Sequence, residues 1–152
     1  TGAADMTTDL LLVESASKLR AALGLLFASE ETYQAFEPGR PYSPKEREPY
    51  DALSDRFLRA FESSLKFFRT WERVQEAALS ETFRDMLLRM EKLRLISSHE
   101  CWIALRDLRN RVVPDYLPVE LASLYGLIIE EAVPEMRRLQ AAVLERIETS
   151  KG

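Results

Sequence analysis

Six side chains around one helix exit offer polar chemistry: Arg106, Arg109, Asn110, Arg111, Asp115 and Tyr116. They lie in the stretch Trp102-Ile-Ala-Leu-Arg-Asp-Leu-Arg-Asn-Arg-Val-Val-Pro-Asp-Tyr116. A guanidinium presents forked donors that match phosphate oxygens, and a phenol adds one more donor. On a continued helix the seven-residue spacing of Arg109 and Tyr116 nearly eclipses them, with a drift of only ~20°. Side by side at a helix end, they would hold a phosphate. The competing reading is a self-paired, solvated surface. Asp107 and Arg111, and Arg111 and Asp115, have the (i, i+4) spacing of helix ion pairs. Asn110 can bond locally at the helix end, and Tyr116 can anchor the loop to the core.

Other chemistries are poorly served. The chain has one histidine, His99, and one cysteine, Cys101. That excludes an intrachain disulfide, a cysteine-rich zinc site and any His-pair metal motif, so neither a metal nor a cofactor is expected. Cys101, beside Trp102, reads as a core thiol. The acidic residues Glu130, Glu131 and Glu135 read as a solvated helix face rather than a cation site. Arg137 and Arg138 are expected to pair with glutamates of their own helix. No glycine-rich phosphate loop occurs, so the chain is not itself a P-loop enzyme. The formal net charge of −4 opposes a general nucleic-acid coat while leaving room for a local basic site.

The 152 residues suit a single domain, 1–152. With 46% hydrophobic and 30% charged residues, the composition is that of a folded protein. Gly and Pro are scarce, and helix formers dominate. No apolar run approaches the roughly 20 residues needed to span a bilayer. The expected location is cytoplasmic, and residues 1–5 read as a tag remnant or a disordered end.

Spacing predicts the elements that must position the site. Leu12, Ala16, Leu19, Leu23 and Leu26 form a heptad seam on a helix from about Thr8 to Phe36. Breakers around Pro38 and Pro41 end it. Ser43-Pro-Lys-Glu46 has capping-box form, but Pro49 follows closely, so the second helix is placed at about Tyr50 to Ala78. Its buried face is Phe57, Phe61, Leu65 and Phe68. Ser80 is expected to cap a third helix over 81–95, and Ser97-Ser-His-Glu100 to open a fourth from Cys101 to Val113. The fourth should bury Cys101, Leu105, Leu108 and Val112. The fifth starts at Pro118 and carries Leu121, Leu124, Ile128, Ala132, Met136, Leu139, Val143 and Ile147, with a kink at Pro134. The expected fold is all-α, an antiparallel four- to five-helix up-and-down bundle. Surplus apolar surface on the long helices points to a homodimer.

The stretch from Phe83 to Ser98, then Trp102 and Leu105 to Tyr116, resembles the HEPN superfamily. Its nearest branch is the HepT-like, or nucleotidyltransferase substrate-binding, proteins. The family signature is Arg, a polar residue, three further residues, His, any residue and Tyr. Arg109, Asn110, Asp115 and Tyr116 fit it, and Pro114 takes the place of the histidine. The resemblance implies a dimer that brings two motif copies together. It implies a minimal nucleotidyltransferase as partner in a toxin–antitoxin-like pair, with Tyr116 as the position for nucleotidylation. It also implies a binding role for a nucleotide or RNA. Many members are metal-independent endoribonucleases. Pro114 cannot carry a proton, and RNA cleavage through the 2′-hydroxyl needs a group that can. His99 sits fifteen residues, roughly 22 Å, away along the same helix. A partner or substrate-binding subunit is therefore expected, with a ribonuclease and a purely structural dimer as the alternatives.

Overall fold

The structure is a computed structural model, and it describes the backbone of residues 2–112 and 117–151 and the side chains of 10–112 and 117–147. Among the described residues there are helices and no strand. Helix α1 spans Gly2–Glu31, α2 Pro44–Gln75, α3 Phe83–Lys92 and α4 His99–Arg111. A last run comprises α5 (Pro118–Leu127), a π-helical turn (Ile128–Ala132) and α6 (Val133–Lys151). Residues 2–5, expected outside the fold, continue α1.

The heptad seam of α1 is buried throughout, from Leu12 to Leu26. The helix stops at Glu31 rather than Phe36 because Phe36 packs from the following loop. There its ring stacks on Tyr42 at 4.7 Å and meets Tyr50 and Tyr125 edge-on. At α2 the capping box decides the start. The Ser43 hydroxyl accepts from the Glu46 N–H, and the Glu46 carboxylate accepts from the Ser43 N–H, both at 3.1 Å. These bonds hold the Glu46 carboxyl below its usual range, helped by Arg40. That contribution is full above the unfolded-state pKa and fades as pH falls through the lower folded value. Pro49 costs α2 only the hydrogen bond to the Lys45 carbonyl, and Lys45 is exposed to water. On the buried face Phe57, Phe61, Phe67 and Phe68 are sequestered, while Leu65 is half-buried.

Two further starts shift by one or two residues, each for a tertiary reason. Thr82, not Ser80, caps α3, accepting from the Asp85 N–H at 3.0 Å. The Ser80 hydroxyl instead donates to Glu72. Ser98, not Ser97, caps α4, accepting from the Cys101 N–H at 3.0 Å. The Ser97 N–H is taken by Glu135 at 3.0 Å. Helix α3 ends in a left-handed residue, Arg94 (φ 62°), which lets the Leu95 N–H reach back to the Met90 carbonyl at 3.0 Å.

A π turn, Ile128–Ala132, stands directly before Pro134, where the kink is expected, and it has two causes. Leu124, Ile128, Ala132 and Met136 follow one another at successive steps of four. On a plain α-helix each such step overshoots a full turn by ~40°. A wider turn slows the rotation and keeps the last three fully buried. Pro134 follows directly and has no N–H to donate to Glu130. The Val133 N–H already reaches five residues back, to Ile128.

Helix α1 packs along α2 and against α6, and α4 packs against α2, α3, α5 and the π turn. All six helices and the π turn contribute to one core. Trp102, fully buried, leads the inner stripe of α4 where Cys101 was expected, because Cys101 is only half-buried. Among the described residues no helix is long and apolar enough to cross a membrane.

Candidate functional site

The exit of α4 opens onto a groove of about 750 Å³ between α1, α2 and α4. Helix α1 contributes Ser15 and Lys18. Helix α2 contributes Leu58, Arg59, Glu62, Ser63 and Lys66. From α4 and its cap come Arg109, Asn110 and Val112. Four cations therefore face one carboxylate, that of Glu62.

The local sequence explains the placement. Leu105, Leu108 and Val112 are buried and fix the roll of α4. Arg109 and Asn110, one and two positions past Leu108, then emerge at the groove edge. Arg109 is held there by two contacts. One of its amino groups donates to Glu62 on α2, and the other to the Asn110 side-chain oxygen at 3.2 Å. On α2, Arg59, Glu62 and Lys66 stand at i, i+3 and i+7, one stripe of the helix surface.

The expected site residues divide. Arg109 and Asn110 line the groove. Arg106 does not: its guanidinium lies 4.5 Å from the ring centroid of Phe83, a cation–π contact with α3. Arg111 is exposed outside the groove, and no ion pair joins it to Asp107 among the described residues. Pro114, Asp115 and Tyr116 lie outside the described residues. Lys18, Arg59, Glu62 and Lys66 escaped the sequence reading. The charged stripe at 59, 62 and 66 was the available signal for three of them.

Other polar features resolve into structure. His99 sits in the first turn of α4, its Nδ1 3.1 Å from a Glu91 carboxylate oxygen that also accepts the His99 N–H. It is therefore remote from the groove. Glu135 is buried, contrary to the solvated face expected, and accepts from the Trp102 indole N–H at 2.8 Å. Arg137 pairs across to Glu30 of α1 at 2.7 Å and lies over Phe27, rather than pairing within its own helix. Burial pushes the Cys101 thiol up, and the nearby Glu135 carboxylate adds to the effect. A thiol kept protonated in this way is a poor nucleophile. No group of three metal-ligating side chains occurs among the described residues.

A second concavity, about 310 Å³, lies where the loop after α1 meets α2. Tyr33, Tyr42 and Tyr50 line it. Burial, then a hydrogen bond with Tyr42, pushes the Tyr50 phenol up to about 12, so it stays protonated. The ring faces are already used. Tyr42 stacks on Phe36 and carries Arg40 at 4.8 Å, and Tyr50 stacks on Tyr125. This cluster clamps the loop rather than presenting a platform.

Compared with protein-family models, with curated proteins and with solved structures, the chain matches none.

Proposed function

We propose that the protein is a HEPN/HepT-like helical module that binds a phosphorylated ligand for a minimal nucleotidyltransferase partner. One observation carries this reading: the Arg109–Asn110 pair of the family signature opens onto a groove with three more cations. In a chain of net charge −4, a groove lined by four cations and one carboxylate marks where an anion is drawn. The helical content and order support an antiparallel up-and-down bundle. Exposed Leu10, Leu11 and Val13, beside an apolar groove of about 260 Å³ between α1 and α6, support a homodimer through that face. A cytoplasmic place of action fits a nucleotide-using partner.

The ribonuclease alternative gains nothing from the groove. The only histidine of the chain is engaged with Glu91 at the opposite end of α4. Binding without cleavage is the reading these side chains support.

Two measurements test it. Tagged protein recovered from its host should bring a small nucleotidyltransferase with it, and its intact mass should show a nucleotide adduct that Tyr116→Phe abolishes. Recovery without the partner, or an adduct persisting in Tyr116→Phe, sinks the partner reading. In titrations with ATP at low ionic strength, Arg109→Ala should weaken binding about tenfold or more, since hydrogen bonds to charged groups contribute ~1.5–3 kcal/mol. Unchanged affinity in Arg109→Ala removes the groove from the function.

A further inference from the structure

We infer that Glu62 is a tethered competitor for Arg109, a carboxylate built into the groove that an incoming phosphate must displace. This rests on reading the groove as a phosphate site. Three observations carry it. Glu62 is the only acidic side chain lining the groove among the described residues. Its carboxylate oxygen occupies an amino group of Arg109, the same donor that a phosphate oxygen would use. The other cations are arranged differently. Lys18 pairs with Glu14 at 3.3 Å and Arg59 with Asp55 at 2.8 Å, each along its own helix and with carboxylates outside the lining. Lys66 has no carboxylate within ion-pair distance among the described residues. Only Arg109 has its fork engaged by a carboxylate of the groove itself.

The positions on α2 fit such an exchange. Glu62 lies between Arg59 and Lys66, three residues after one and four before the other. A phosphate that takes the Glu62 position on Arg109 is therefore flanked along α2 by a cation on either side. The Glu62 side chain is 48% exposed and that of Arg109 39%. The displaced carboxylate can turn into water with little loss, since exposed pairs contribute little net stability. Glu62 thus lowers the affinity of the groove without closing it. It also keeps the guanidinium pre-positioned and paired while the groove is empty. The role is that of a positioning and threshold-setting residue, with no part in bond making or breaking.

The test is a double-substitution cycle read by calorimetric titration with inorganic tripolyphosphate at low ionic strength. It uses the full chain, Glu62→Gln, Arg109→Gln and the pair together. Circular dichroism should show all four folded, because both positions are exposed. Glu62→Gln should tighten binding about two- to fivefold, the size expected for release of one exposed ion pair. Arg109→Gln should weaken binding, and adding Glu62→Gln to it should restore nothing. If Glu62→Gln tightens binding equally without Arg109, Glu62 acts by general repulsion and the competitor role is overturned. If it has no effect while Arg109→Gln still weakens binding, the inference fails and the phosphate groove stands. If none of the folded proteins binds the probe, both fall.

Discussion

Trp102→Ala should lower the unfolding free energy by about 3–5 kcal/mol, the range for removing a large buried aromatic side chain. The residue is fully buried. It stacks on Phe61 with ring centroids 5.9 Å apart and meets Phe68 edge-on at 5.1 Å. Those rings belong to α2, so the indole joins α4 to the longest helix of the fold. Its N–H also satisfies Glu135, whose other partner is the Ser97 N–H. Trp102→Phe separates the two roles. It keeps most of the ring contact and removes the donor, leaving a buried carboxylate oxygen short of a partner. That costs about 1–3 kcal/mol. Urea denaturation of both variants measures the difference. A Trp102→Phe protein as stable as the parent would mean that the bond to Glu135 contributes nothing net, and only the packing argument would survive.

The second large effect is at Arg89. Glu72 is fully buried near the C-terminal end of α2, and its carboxylate takes the Arg89 guanidinium at 2.8 Å and the Ser80 hydroxyl. This arrangement ties the 76–82 connection and α3 to the end of α2. Arg89→Met would leave the charge buried with hydroxyl and amide partners alone. Breaking a buried ion pair from one side costs ~3–5 kcal/mol. Arg89 is itself about a third exposed, so water can partly take its place and the expected loss is about 2–4 kcal/mol. Glu72→Gln removes the charge and keeps hydrogen-bonding atoms in place, so it should cost less. Chemical denaturation of the two variants settles the order. If Glu72→Gln is the more damaging, the ion pair is not what holds the connection.

These two contacts mark where reading the sequence runs out. Periodicity located the seam of α1 from Leu12 to Leu26 and the buried stripe from Leu121 to Val143, because those side chains face the core at fixed helical intervals. Local chemistry located the Ser43 capping box, although Pro49 drew the expected start of α2 six residues too late. What failed were assignments that hung on a partner outside the helix being read. Ser80 looks like a cap until Glu72 claims its hydroxyl. Glu135 looks solvated until Trp102 and Ser97 surround it. Phe36 looks like the last turn of a helix until Tyr42, Tyr50 and Tyr125 gather it into a loop. The groove is of the same kind. Arg109 and Asn110 stood out by their motif, but Lys18, Arg59 and Lys66 join them only when three helices meet. The charge of Glu62 has no meaning until α2 is laid against α4.

The π turn before Pro134 has a consequence for chain length. A wider turn of this kind is an α-helix carrying one residue more than its rotation needs. Residues 128–132 are therefore a place where the last helical run can be shortened without being put out of phase. Removing Glu131, which is exposed, turns the succession of fours at Leu124, Ile128, Ala132 and Met136 into the ordinary alternation of fours and threes. With Pro134→Ala made alongside, the run closes as a plain α-helix, and Leu121 and Leu139 still face the same core. An equal deletion in α2, where no turn holds a spare residue, would rotate one half of its phenylalanine face out of the core.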